Sequence, residues 1–273
     1  MNSAYGDLNR PPLDATALRR ALVRPESGWR DVVVLEEAAS TNSELARLAR
    51  GGSASGLVLV AEHQSGGRGR LDRIWTSPPR SGLTLSVLLD PGDVPTQHWP
   101  WLPLLTGVAV VEAVRRATEV DADLKWPNDV LVGGRKLAGI LAERVEAPTG
   151  SLAVVGIGLN VTLRRDEAPT AEATSLLLEQ ATTTDRTVVL REVLRVLDSL
   201  FGAWVESSGD PEAGLAESYT RRCSTLGREV AVALPGGGSL RGEAVRMDAS
   251  GRLVVRTDGR EEVVGAGDVV HVR

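Results

Sequence analysis

The apolar positions fall into short runs whose spacing changes along the chain. Leu18 and Leu22 lie one helical turn apart behind Asp14, a residue type suited to capping, and predict a short helix. Val32-Val33-Val34-Leu35 is an unbroken apolar run of strand length and reads as a buried strand. Thr41 and Glu44 have the spacing of a capping box, so a helix should run from there to about Arg50. A strand over 57–61 leads into a Gly/Arg/Pro-rich stretch over 64–82, and 83–89 alternates into another strand. Residues 101–118 form the longest helical candidate. Leu104, Leu105, Val108, Val111 and Val114 fall near one of its faces, and Pro103 in its tolerant first turn. From Leu124 to Val161, short apolar runs broken by turn residues such as Gly133-Gly134 predict antiparallel hairpins. The pattern returns to helical over 186–205 and about 211–222. From about Arg228, short strands separated by Gly236-Gly237-Gly238, Ser250-Gly251 and Asp258-Gly259 predict a small barrel.

Strands and helices do not alternate in order, which argues against a doubly wound parallel sheet. The expected fold is of the α/β class, α+β type: a mixed, largely antiparallel sheet flanked by helices, followed by a small all-β unit. The chain divides on this reading into an extension over 1–30, a main domain over 31–223 and a β domain over 224–273. The first dozen residues are polar and contain prolines, and are expected to be poorly ordered.

Composition narrows the function classes. With 273 residues, 42% hydrophobic and 25% charged, the chain can bury a large core and a second small one. A net charge of −5 speaks against a nucleic-acid partner. Cys223 is the single cysteine, so an intrachain disulfide and a thiolate metal cluster are both excluded, and the residue reads as a small buried apolar group. His63, His98 and His271 show no ligand spacing, and no protein-held metal is expected. The N-terminus lacks a basic start followed by an apolar run, and no apolar stretch is long enough to span a bilayer. A cytoplasmic enzyme with no membrane partner is the expectation. A Walker-type phosphate loop, a Gly-x-Ser-x-Gly elbow and His-Glu-x-x-His are all missing from the sequence.

Four segments carry candidate chemistry. Gln64-Ser65-Gly66-Gly67-Arg68-Gly69-Arg70-Leu71-Asp72-Arg73 joins glycines, which let backbone N–H groups approach a ligand, to arginines suited to carboxylates and phosphates. It could equally be a solvated surface loop, but a buried strand precedes it and Trp75 follows. Lys125-Trp126-Pro127-Asn128-Asp129 crowds a cation, an amide and a carboxylate at a strand boundary, where a plain turn is the alternative. In Arg135-Lys136-Leu137-Ala138-Gly139-Ile140, Lys136 could hold an anion or merely snorkel from the sheet edge. Gly156-Ile157-Gly158-Leu159-Asn160 puts two glycines in a strand, a mark of close approach by a ligand or another backbone.

In this order, and with the Ser40-Thr41-Asn42 opening before them, the segments resemble the catalytic domain of biotin–protein ligases of the monofunctional type, actinobacterial members in particular. The resemblance runs from about 38 to 162, and the family also has a small C-terminal β domain. It implies a fold like that of class II aminoacyl-tRNA synthetases with a terminal SH3-like barrel. The implied substrates are biotin and ATP with Mg²⁺, and the implied partner is the biotin carboxyl carrier domain of a carboxylase such as acetyl-CoA carboxylase. The enzyme would be a monomer or a weak homodimer.

By motif position, Ser40, Thr41, Asn42 and Gln64 would bind the biotin head, and Gly156 and Gly158 would line its tail, with Gly139 and Asn160 nearby. Gly67, Arg68, Gly69, Arg70, Arg73 and Trp75 would belong to the loop closing over biotin and its adenylate. Lys136 would meet the biotin carboxylate and the adenylate phosphate, while Lys125 and Asn128 would lie near the ATP phosphates. Asp129 would organise that end or orient the acceptor amine. Leu71-Asp72 departs from the family loop, which often reads Arg-Arg-Gly-Arg, and this bears on loop closure. Three rivals stand beside this reading: a lipoate or other acyl ligase, a ligase that is also a repressor, and a binding module without catalysis. About 30 residues and one helix candidate precede the catalytic domain, too few for a helix-turn-helix module.

Overall fold

The computed structural model describes residues 10–70, 73–234, 237–265 and 267–272. Helix α1 (Ala15–Leu22) begins at Asp14, whose carboxylate accepts from Ala17 N as the sequence predicts, and buries Leu18 and Leu22. Strands β1 (Asp31–Leu35), β2 (Leu57–Ala61), β3 (Gly82–Leu89), β4 (Asp123–Lys125), β5 (Asp129–Val132), β6 (Arg135–Ala147) and β7 (Gly150–Asn160) form one seven-stranded sheet. Its order is β1-β2-β3-β7-β6-β5-β4; β1 and β2 are parallel, and the other neighbours are antiparallel. The β5–β6 hairpin turns on Gly133 (φ 55°) and Gly134 (φ 79°), the two left-handed residues that a tight two-residue hairpin requires.

Helices cover both faces. α1, α3 (Trp101–Thr118) and α4 (Arg186–Glu206) lie on one side, with α5 (Leu215–Arg222) against α3 and β4. The main core forms there from Leu83, Leu85 and Val87 of β3, Val155 and Ile157 of β7, and the apolar side chains of α3 and α4. α2 (Thr41–Arg50) lies on the other side over Leu59, Leu88, Val145, Leu152 and Val154.

Four expectations need correction. β1 is an edge strand with only Val32 fully buried, because the parallel pairing with β2 leaves its outer side open. β3 is buried along its whole length instead of alternating, because helices cover both of its faces. α3 is buried nearly all round, not on one face, because it lies between the sheet, α4, α5 and the turn around Ala249. The cap of α2 is Ser40, whose Oγ accepts from Ser43 N at 3.4 Å; Thr41 is turned away to bond Gln64.

The chain ahead of α1 is also tied down where it is described. Arg10 is 6% exposed and donates to Thr162 O at 2.7 Å and to Glu167, while Leu13 N donates to Glu62 at 2.6 Å. Arg186 and Glu62 form a buried ion pair at 2.5 Å, and Arg186 also donates to Pro11 O. Polar backbone before a helix can therefore be held by buried guanidinium groups, a device that hydrophobic pattern does not reveal. Residues 1–9 of that stretch lie outside the described residues.

The C-terminal unit is a five-stranded antiparallel sheet of β8 (Glu229–Ala233), β9 (Ser239–Met247), β10 (Leu253–Thr257), β11 (Arg260–Val264) and β12 (Asp268–His271), in the order β11-β10-β9-β8-β12. Val230, Val232, Leu253 and Val269 extend the main core. Trp101 Nε1 donates to Ala249 O at 2.9 Å, which fixes this unit on the start of α3.

Candidate active site

Along the α2 face of the central strands, the residues change character where the helix begins. Beneath α2 stand Leu88, Val145 and Val154; past its N-terminus the same rows continue with Ser86, Glu143, Gly156, Gly158 and Gly139. Large side chains give way to glycine, and the sheet itself becomes the floor of a cavity of about 290 Å³.

At one end, Ser40, Thr41 and Asn42 are polar yet buried. Thr41 donates to Gln64 Oε1 from its backbone N at 2.7 Å and from Oγ1 at 3.0 Å. Ser86 Oγ lies 2.6 Å from Asn42 Oδ1 and 2.7 Å from Thr41 Oγ1, and its single proton serves one of them at a time. Asn42 Nδ2 donates to Glu143 at 2.7 Å and to Leu141 O at 3.2 Å. This end offers a fixed, polar, uncharged recognition surface.

Over the floor folds the loop after β2. Trp75 N donates to Gly67 O at 2.9 Å and Gly69 N to Arg73 O at 2.7 Å, which makes a small hairpin. Gly67 is required there, since a Cβ would collide with the carbonyl of Trp75. Arg68 reaches Ser43 Oγ at 2.9 Å and Glu143 at 3.4 Å, and Arg70 reaches Asn128 Oδ1 at 3.3 Å. The Trp75 ring lies on Gly158, where a Cβ would stand 2.5 Å from ring atom Cε2. Its indole N–H is buried without a partner among the described residues, a donor beside the cavity. Leu71 and Asp72, the departure from the family loop, lie outside the described residues.

The other end is charged. Lys136 Nζ stands 2.7 Å from Asp129 Oδ1 and 5.8 Å from the centre of the Trp75 ring. Asn128 is docked on β6, its Nδ2 donating to Ile140 O at 3.0 Å and its carbonyl accepting from Ile140 N at 2.9 Å. Asn160 Nδ2 donates to Thr174 O at 2.8 Å and so holds the segment with Pro169, Thr170 and Ala173 as the far wall. Arg68, Arg70, Arg73 and Lys136 line the cavity with Asp129 as the lone carboxylate among its described lining residues, an arrangement suited to an anion.

The cavity thus gathers Ser40, Thr41, Asn42, Gln64, Arg68, Gly69, Arg70, Arg73, Trp75, Asn128, Asp129, Lys136, Gly139, Gly156, Gly158 and Asn160. Gly67 shapes the loop from behind. Lys125 is the one expected site residue placed elsewhere: it is half-buried on β4, where its charge bears on His271. The partner of Asp129 is accordingly Lys136, not Lys125. Sequence reading missed Ser86 and Glu143. The signal for Ser86 was a polar residue in a strand that is otherwise almost wholly apolar; Glu143 shares its strand with several charged residues and had no such signal.

A sequence profile of the Biotin/lipoate A/B protein ligase family matches residues 37–160, and one of the biotin protein ligase C-terminal domain matches 225–272. A biotin–[acetyl-CoA-carboxylase] ligase of Mycobacterium tuberculosis is 44% identical over 271 residues, covering 98% of each chain. The biotin protein ligase of Aquifex aeolicus, solved in complex with biotin and ATP, is 31% identical with a TM-score of 0.73 over 90% of this chain and 100% of its own. That of Leishmania major, solved with biotinyl-5-AMP, is 26% identical with a TM-score of 0.58 over 87% and 99% of the two chains. Fold, motif order and full-length identity converge: this chain belongs to the biotin/lipoate protein ligase family and carries both domains of a biotin protein ligase.

Proposed function

We propose that this chain activates biotin with ATP to biotinyl-5′-AMP and then transfers biotin to one lysine of a biotin carboxyl carrier domain, that of acetyl-CoA carboxylase in the first place. The observation that carries the reading is a single cavity with a neutral polar end, Ser40 to Asn42 with Gln64, and a cationic end around Lys136. A ureido ring suits the first, and a carboxylate meeting a phosphate suits the second.

In the first step a biotin carboxylate oxygen attacks the α-phosphorus of ATP, and pyrophosphate leaves. Two anions must come together, and Lys136 with Arg68 and Arg70 offsets their repulsion. Lys136 is bound to Asp129, so anions entering the cavity compete with that carboxylate for the ammonium. Gly156 and Gly158 let Asn42 and the Trp75 ring come close to the floor, and the biotin tail would run between these walls. The glycine-rich loop covers the mixed anhydride and keeps water from it. In the second step the acceptor amine attacks the acyl carbon, AMP leaves, and on this reading Asp129 receives or directs the amine proton.

Among the described residues no group of three or more His, Cys, Asp or Glu stands together. Asp129, the lone carboxylate among the described lining residues, would help hold a Mg²⁺ that enters with the ATP phosphates and keeps most of its shell outside the protein. When bound, the ion would offset phosphate charge. The reaction belongs to the cytoplasm on this reading, catalysed by a monomer or a weak dimer. No helix among the described residues is long and apolar enough to cross a membrane.

The test is transfer itself. With biotin, Mg-ATP and a carrier domain, mass spectrometry should find biotin on the target lysine and none on a carrier whose lysine is replaced by arginine. Lipoate in place of biotin should leave the carrier unmodified. Labelling by lipoate alone would move the chain to the neighbouring acyl ligases.

A further inference from the structure

The turn between β4 and β5, which carries Asn128 and Asp129 into the cavity, is gripped from behind by the C-terminal unit and the linker leading to it. Ser224 donates from N and Oγ to Leu124 O at 2.8 and 2.9 Å. Trp126 Nε1 donates to Gly251 O at 3.1 Å, and Trp126 N donates to Thr225 Oγ1 at 3.1 Å. Thr225 is completely buried, and its Oγ1 lies 3.2 Å from Nε2 of His271 on β12.

One direction in this chain is set by chemistry. A backbone N–H can only donate, so Thr225 Oγ1 accepts from Trp126. The hydroxyl proton is then available for His271 Nε2 when the neutral ring carries its own proton on Nδ1, and in the other tautomer the same oxygen accepts from Nε2–H. Burial, reinforced by the charges of Lys125 and Arg228, keeps that imidazole neutral, with its pKa brought down to about 4. Pro127 offers no N–H, and Asn128 is already docked on Ile140 from the opposite side. The Trp126 peptide is thus where the C-terminal unit sets the position of the turn.

We propose that Thr225 and His271 are positioning residues for adenylate formation: through the Trp126 peptide they hold Asn128 and Asp129 in register with Lys136. The inference rests on the ligase reading above, and it gives the C-terminal unit a part in the first half-reaction. Neither residue lines the cavity, and the biotin-head residues lie at its far end, so the effect should fall on turnover and not on biotin recognition.

The experiment compares the full chain with Thr225→Val, Thr225→Ser, His271→Leu and His271→Gln in biotinyl-adenylate formation, with each preparation normalised to its biotin-binding sites. Thr225→Val removes both hydrogen bonds at nearly constant shape and should lower kcat about tenfold, with KM for biotin within about twofold. Thr225→Ser should retain kcat to within about threefold. His271→Leu should behave as the valine variant does, and His271→Gln, which keeps an acceptor, should be milder. His271 is only half-buried, so the histidine pair supplies the answer if the valine variant does not fold. Equal loss in the valine and serine variants, parallel changes in kcat and biotin KM, or wild-type kcat in both Thr225→Val and His271→Leu would overturn the inference while the ligase reading stands. A wild-type chain that makes no biotinyl-adenylate would overturn both.

Discussion

Lys136 Nζ lies 2.7 Å from Asp129 Oδ1, so the ammonium that the reaction needs is held in place by a carboxylate. Both groups are partly exposed, at 36% and 21%, and such a pair adds little to stability. Its value is in position. Lys136→Ala should therefore leave the unfolding midpoint within a few degrees while adenylate formation falls by about a thousandfold or more. Calorimetry beside a single-turnover adenylation assay checks both halves; an intact adenylation rate would remove Lys136 from the chemistry.

Asp129→Asn separates the two steps. Adenylate formation should fall by no more than about tenfold, since Lys136 is released but not lost, whereas transfer from preformed biotinyl-adenylate to the carrier lysine should fall about a hundredfold. The comparison is made by supplying the adenylate in single turnover with the carrier domain. Equal losses in both steps would confine Asp129 to holding Lys136.

The glycine floor makes a sharper steric prediction. A Cβ on Gly156 would stand 2.9 Å from Asn42 Cγ, and Asn42 cannot give way because Ser86, Glu143 and Leu141 O all hold it. Gly156→Ala should raise the biotin Kd at least about tenfold. Gly158→Ala meets the Trp75 ring at 2.5 Å and should displace the loop as well, which weakens retention of the adenylate. Isothermal titration with biotin and a filter-retention assay for the adenylate distinguish the two.

His271 gives stability a pH dependence whose sign is fixed. The folded protein holds this imidazole neutral down to about pH 4, while the unfolded chain takes up the proton near the ordinary value of 6.5. Between those limits the unfolded state binds more protons, so stability is full above the window and is lost as pH falls through it. Urea midpoints measured from about pH 7 to about pH 5 should drop more steeply for the wild type than for His271→Gln. Parallel slopes would contradict a buried neutral His271.

Much of this architecture was legible because it rests on periodicity and turn chemistry. Asp14 and Gly133-Gly134 each sit where their local rule requires. The shared cavity followed from five separated motifs taken in order, none of them specific alone. What could not be read depends on distant partners. The buried Arg10, Glu62 and Arg186 network ties down a segment whose composition signals disorder. Strand register puts Lys125 opposite Asp129, yet the carboxylate pairs with Lys136 of β6, a choice that only the folded side chains reveal. Ser86 shows its role only when β3 is seen beneath the start of α2.

The most direct measurement is mass spectrometry of the full chain mixed with biotin and Mg-ATP and no acceptor, with lipoate in a parallel reaction. A biotin-dependent biotinyl-adenylate, lost in Lys136→Ala, is the expected result. Biotin binding without any adenylate would contradict it and leave the cavity as a binding site with no ligase chemistry.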